Sequence, residues 1–157
     1  MAYDFSAKEI FEMAKQIERN GVKFYQTASS NVSGEKEKQM LLELAKMEAQ
    51  HEKTFAEMET DLKGKESGNT VFDPNDEAAL YLKALADTKV FFEKQIQAST
   101  MKSILVDAIG AEKDSIVFYI GMKDLVPEQA GKKRIDDIIK EEMGHIRLLS
   151  RELVSLK

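Results

Sequence analysis

The sequence predicts an all-α fold: four long helices in two antiparallel helical hairpins, joined by one long crossover connection. Three observations lead there. Chain breakers are few, with only two prolines and eight glycines in 157 residues. Runs of β-branched residues are scarce, so little competes with helix over long stretches. Turn signals stand at Asn31–Gly34, Gly64–Pro74 and Val126–Pro127, which divides the chain into long periodic segments.

The first helix is expected from Ser6, which forms a capping box with Glu9 three residues on, to about Ser30. Asn31–Gly34 is a turn signal, and the second helix follows from about Glu35 to Lys63. Beyond the polar Gly64–Pro74 stretch, Asp76 can cap a shorter helical piece over Glu77 to about Asp87. Lys89–Gln97 continues it with apolar Val90, Phe91, Phe92 and Ile96. The third helix is expected from about Thr100 to Lys123. Pro127 suits the first turn of the fourth, which runs to about Leu156. Short loops make the helices of each hairpin antiparallel neighbours. The crossover of roughly 35 residues lets the second hairpin pack back on the first.

Composition bounds the function. The length suits one domain over residues 1–157, large enough to bury a core. With 43% hydrophobic and 32% charged residues, the chain reads as globular rather than disordered. No apolar stretch approaches the roughly 20 residues that span a bilayer. Met1 to Ile10 carries Asp4 and Glu9 and no apolar h-region, so the cytoplasm is the expected location. A net charge of −5 gives no basic footprint for nucleic acid. Cysteine is absent, which removes disulfides, thiolate zinc sites, iron–sulfur clusters and thiol catalysis. Any metal must be held by oxygen and imidazole nitrogen.

The two hairpins repeat each other at a constant shift of 94. It takes Glu18 to Glu112, Tyr25 to Tyr119, Glu48 to Glu142 and His51 to His145. It also takes Phe24 to Phe118, Ala14 to Ala108, Leu41 to Ile135 and Leu44 to Ile138. Both histidines of the protein fall on this register. From Glu18 to the end of its helix, and from the start of the next helix to Glu48, each leg covers roughly 20 Å. The two glutamates therefore return to one level of the bundle, as do Glu112 and Glu142.

Each of these acids interrupts an apolar seam. Ala14, Glu18, Gly21, Tyr25 and Ala28 share one face, as do Leu41, Leu44, Glu48, His51, Phe55 and Met58. In the second half the seams are Leu105, Ala108, Glu112, Ser115, Tyr119 and Met122, then Ile135, Ile138, Glu142, His145 and Leu149. Four buried carboxylates repel one another and are costly without cations. No Lys or Arg occupies the central stretch of these seams, so metal ions are the economical answer. Four glutamates carry −4, which two divalent ions balance. Glu and His at i and i+3 share a helix face, so each Glu-x-x-His pair can address one ion. Oxygen-rich ligation with two imidazoles suits iron or manganese better than structural zinc. A lone Glu-x-x-His is ordinarily a solvated helix face; two copies in register, each matched to a seam glutamate, are not. Tyr25 and Tyr119 are either donors to the carboxylates or plain core tyrosines. Glu35–Lys38 and Lys132–Arg134 are solvated surface, and Val90–Phe92 is core or a self-association patch.

Ile17-Glu18-Arg19-Asn20-Gly21-Val22-Lys23-Phe24-Tyr25, Met47-Glu48-Ala49-Gln50-His51, Glu112-Lys113-Asp114-Ser115-Ile116-Val117-Phe118-Tyr119 and Glu142-Met143-Gly144-His145 resemble the diiron domain of rubrerythrins, within the ferritin-like class. The resemblance covers essentially the whole chain. It implies that Glu48 and Glu142 bridge two irons, with Glu18 and Glu112 as terminal ligands and His51 and His145 one on each iron. It also implies a homodimer, and peroxide reduction of the kind that counters oxidative stress. Two departures stand out. The sequence lacks the four-cysteine rubredoxin domain, so electrons are expected from a separate donor protein. Rubrerythrins also carry an extra glutamate three residues after the ligand of the third helix; here that position is Ser115, and the remaining four-Glu, two-His set looks more like that of bacterioferritin.

Three functions follow as expectations. One is a redox enzyme that reduces hydrogen peroxide at a two-iron centre. Another is a ferroxidase or iron-handling protein that meets dioxygen instead. The third is a metal-stabilised interaction module with no turnover. The expected cofactor is a pair of iron ions, with manganese or zinc as the alternatives.

Overall fold

The computed structural model describes residues 7–65, 80–82, 84, 100–126 and 131–156. Four long helices make up most of these: α1 Ala7–Ser30, α2 Glu35–Lys65, α3 Met101–Leu125 and α4 Lys132–Ser155. The all-α class and both hairpins agree with the sequence. Asn31 N donates to Ala28 O at 3.0 Å as the chain leaves α1, and Lys38 N donates to Gly34 O at 3.0 Å as α2 begins. α3 starts behind Thr100, whose hydroxyl accepts from Ser103 N at 3.2 Å.

Two boundaries differ from expectation. α2 continues through Gly64 to Lys65, since one glycine costs a helix only about 1 kcal/mol. α4 begins at Lys132 rather than at Pro127. Gly131 sits at φ 112°, a left-handed conformation that a right-handed helix cannot contain. Pro127 itself lies outside the described residues, as do the expected Ser6 and Asp76 caps and the Lys89–Gln97 segment. Of the expected Glu77–Asp87 piece, Leu80–Leu82 and Ala84 are described, and they are helical.

α1 packs along α2, α3 along α4, and α1 meets α3 across the bundle. The directions follow from side chains that cross between hairpins. Tyr25, seven residues after Glu18, reaches Glu112; Tyr119, seven residues after Glu112, reaches Glu18. That reciprocity requires α1 and α3 to run in opposite senses. Likewise His51 reaches Glu141 and His145 reaches Met47, so α2 and α4 are antiparallel too. The order is up-down-down-up, with an approximate two-fold axis across the bundle.

The core fills both sides of the mid-level. Phe11, Ala14, Leu41, Leu44, Phe55, Met58, Leu105, Ala108, Met122, Ile135 and Leu149 are all fully buried. The crossover adds to it: Leu82 is buried, and the Tyr81 ring lies over Gly121, where an added Cβ would come within 2.8 Å of it. Among the described residues no helix is long and apolar enough to cross a membrane.

Candidate metal centre

Helical periodicity brings the six predicted ligands to one point. Each lies on the inward seam of its own helix, and all are buried: Glu18 on α1, Glu48 and His51 on α2, Glu112 on α3, Glu142 and His145 on α4. Their donor atoms form two clusters, each with its atoms within 4.8 Å of one another. One comprises Glu18, Glu48, His51 and Glu142; the other comprises Glu48, Glu112, Glu142 and His145. Glu48 and Glu142 belong to both. Glu18 and His51 serve one side only, Glu112 and His145 the other.

Both imidazoles present Nδ1 to the centre. His51 Nδ1 lies 2.8 Å from Glu142 Oε1 and 3.3 Å from Glu48 Oε2. His145 Nδ1 lies 3.2 Å from Glu142 Oε2 and 3.5 Å from both Glu48 Oε1 and Glu112 Oε1. The rings stack across the centre, centroids 5.8 Å apart and planes 22° from parallel. Gly21 makes this closeness achievable, because a Cβ there would press to 3.3 Å from Glu48 Cγ.

The polar atoms of this cluster are not satisfied by one another. Glu48 Oε1, Glu112 Oε2, both Glu142 oxygens and both Nδ1 atoms are buried without a hydrogen-bond partner. Each such group costs about 1–3 kcal/mol, and buried polar atoms in folded proteins are nearly always paired. All the orphaned atoms are lone-pair donors, and they converge on two points. This is the chemistry of a site for two cations, and the residues fit it.

The charges point the same way. Burial pushes the Glu18 and Glu112 carboxyls well above the usual range, and the charges of Glu48 and Glu142 add to the effect. Glu48 and Glu142 move down: burial opposes this, as does the Glu48 charge at Glu142, but the nearby carboxyl of Glu18 or Glu112 and the two imidazoles outweigh it. Burial would lower the two imidazoles, yet their carboxylate partners raise both, His145 to about 12. The Glu18 and Glu112 carboxyls are pushed toward holding protons and the imidazoles toward carrying charge, the direction that relieves crowded carboxylates when no cation is bound. Cations bound there would compete with those protons.

Both tyrosines act as donors to the carboxylates. Tyr25 Oη donates to Glu112 Oε1 at 2.5 Å, and Tyr119 Oη donates to Glu18 Oε1. Burial, then the charges of nearby glutamates, hold both phenols protonated well above their usual range. Each tyrosine therefore fixes the terminal carboxylate of the opposite hairpin. Ser115 is buried, and its hydroxyl donates to Ala111 O of its own helix at 3.0 Å.

Sequence reasoning missed the outer partners of the histidines. His51 Nε2 meets Glu141 Oε2 at 2.6 Å, and His145 Nε2 meets Met47 Sδ at 3.1 Å. A signal existed, since residues 47 and 141 each precede a shared glutamate and are related by the shift of 94.

A family model for rubrerythrin matches residues 9–153. The chain belongs to the rubrerythrin family. Among solved structures, this rubrerythrin-family chain is similar to one described as a ferritin-like diiron-carboxylate protein from Thermotoga maritima. Identity is 26%, all of both chains is covered, and the TM-score is 0.68. Comparison with curated proteins gives no match. Fold and family thus agree with the buried cluster: a rubrerythrin-type domain with a candidate dinuclear carboxylate–histidine site.

Proposed function

We propose that this chain is a non-haem diiron redox protein that reduces hydrogen peroxide, with electrons returned by a separate donor protein. The observation that carries the reading is the pair of four-residue clusters sharing Glu48 and Glu142. Shared carboxylates couple two ions, and a coupled pair suits two-electron chemistry. Two iron(II) ions held there would supply two electrons, and peroxide with two protons would become two waters.

In this reading Glu48 and Glu142 bridge, Glu18 and Glu112 bind one ion each, and His51 and His145 ligate through Nδ1. Tyr25 and Tyr119 hold the terminal carboxylates in place. The apolar layers above and below the centre keep bulk water out. The native protein is proposed to be a homodimer.

Anaerobic reconstitution with iron(II), followed by stopped-flow mixing with peroxide and with dioxygen, tests the reading. Peroxide should react faster, at one equivalent per two irons. Faster reaction with dioxygen would favour the second reading, a ferroxidase or iron-handling role. The identity of Ser115 supports that alternative, because a hydroxyl rather than a carboxylate stands where rubrerythrins carry their extra glutamate. Native size discriminates further, since a dimer cannot enclose a mineral core.

A further inference from the structure

The centre is nearly two-fold symmetric in the atoms that would touch metal, but not one bond further out. With Nδ1 directed at the centre, Nε2 of each imidazole carries the proton and donates outward. His51 Nε2 donates to a carboxylate, Glu141 Oε2, at 2.6 Å. His145 Nε2 faces a thioether, Met47 Sδ, at 3.1 Å. The two positions are equivalents under the shift of 94, so the same site of the fold holds an anion in one half and a weak acceptor in the other. Solvent does not erase the difference. The His51 and His145 side chains are only 2% and 6% exposed, so each outward nitrogen depends on its protein partner.

A carboxylate behind a ligating imidazole orients the ring and strengthens its donor nitrogen. Loss of such a partner typically costs tenfold to a hundredfold in metal affinity. We propose that residues 47 and 141 make the two metal positions unequal. Glu141, acting through His51, makes the Glu18–His51 position the tighter one and the first to fill. Met47 leaves the Glu112–His145 position the weaker. Both are positioning residues, because neither reaches the centre itself. The proposal rests on the two-metal reading above, and it deepens that reading by ordering the two sites.

Glu141 and Met47 suit substitution. The Glu141 side chain is 61% exposed and Met47 is 41% exposed, so exchanging them leaves the core intact. The test is titration of the metal-free full chain with cobalt(II), followed by visible absorption and by the paramagnetically shifted imidazole N–H resonances. These resonances are assigned with His51→Gln and His145→Gln. The wild-type chain should load in two steps at least about tenfold apart, with the His51 resonance shifting first. Glu141→Met should weaken the first step by about tenfold or more, and Met47→Glu should tighten the second. The double exchange, Met47→Glu with Glu141→Met, should reverse the order, so that the His145 resonance shifts first. A merely structural role for either side chain would not reverse it. Two bound ions whose order ignores residues 47 and 141 overturn the proposal while the metal centre stands. A chain that takes up no cobalt overturns both.

Discussion

The first hairpin buries a charge pair where the second packs partly buried hydrocarbon. In α1 and α2, Lys15 Nζ meets Glu59 Oε2 at 2.8 Å, and both residues are buried. Shifted by 94, these positions are Ile109 and Leu153 on α3 and α4, two apolar side chains packed against the core. Hydrogen bonds to Glu12 and then Glu59 raise the Lys15 ammonium above its ordinary value although burial lowers it. The outer faces differ as well. α1 exposes Glu12, Lys23 and Gln26, where α3 exposes Val106, Val117 and Ile120. Of the described crossover residues, Tyr81 lies on α3, its Oη donating to Val117 O at 3.3 Å. One framework therefore tolerates two chemistries away from the centre, while the six ligands and two tyrosines keep the same identities in both halves.

The largest expected effect tests where the halves must agree. Glu48→Ala and Glu142→Ala each remove a carboxylate shared by both clusters. Both variants should lose the coupled ion pair to the same degree, read as iron stoichiometry after reconstitution. Two tightly held irons in either variant would contradict the bridging role. The next effect tests where the halves differ. Lys15→Ile alone removes the buried cation that faces Glu59 and should lower unfolding stability by about 2 kcal/mol. Lys15→Ile with Glu59→Leu copies the second hairpin and should return to within about 1 kcal/mol of the parent. Urea denaturation measures both, and a double variant no better than the single one would show that the pair is not a replaceable unit. The smallest effect tests the crossing bonds. Tyr25→Phe and Tyr119→Phe each delete one hydroxyl donor and should each cost about 1 kcal/mol in the metal-free protein. The costs should match, because the two bonds are related by the pseudo-two-fold. A large disparity would show that one phenol is held by packing alone.

The candidate ligands were legible because they leave a periodic mark. Acids and imidazoles on apolar seams violate the pattern around them, and the shift of 94 showed the same violation twice. The helices were legible because breakers are few. What could not be read was pairing between hairpins. Spacing placed Tyr25 two turns past Glu18, yet its hydroxyl serves Glu112 on another helix. Met47 and Glu141 sit one residue off the seam, where periodicity assigns surface, and only the opposed directions of α2 and α4 bring them onto the histidines. Lys15 was hidden for a similar reason: a lysine near a seam reads as solvated until a partner on the next helix is known. The start of α4 was misplaced because proline is a strong cue for a first turn, whereas the conformation of Gly131 is not visible in its identity.

The connection between α2 and α3 has a consequence for how the two halves can change. Each hairpin carries one Glu on its first helix and a Glu-x-x-His on its second, so a half-length chain that paired with itself would assemble the same six candidate ligands. In such a self-paired chain each change would strike both halves at once. Joining the halves in one polypeptide releases each copy from the other, and the divergence of residue 47 from residue 141 is what that freedom permits.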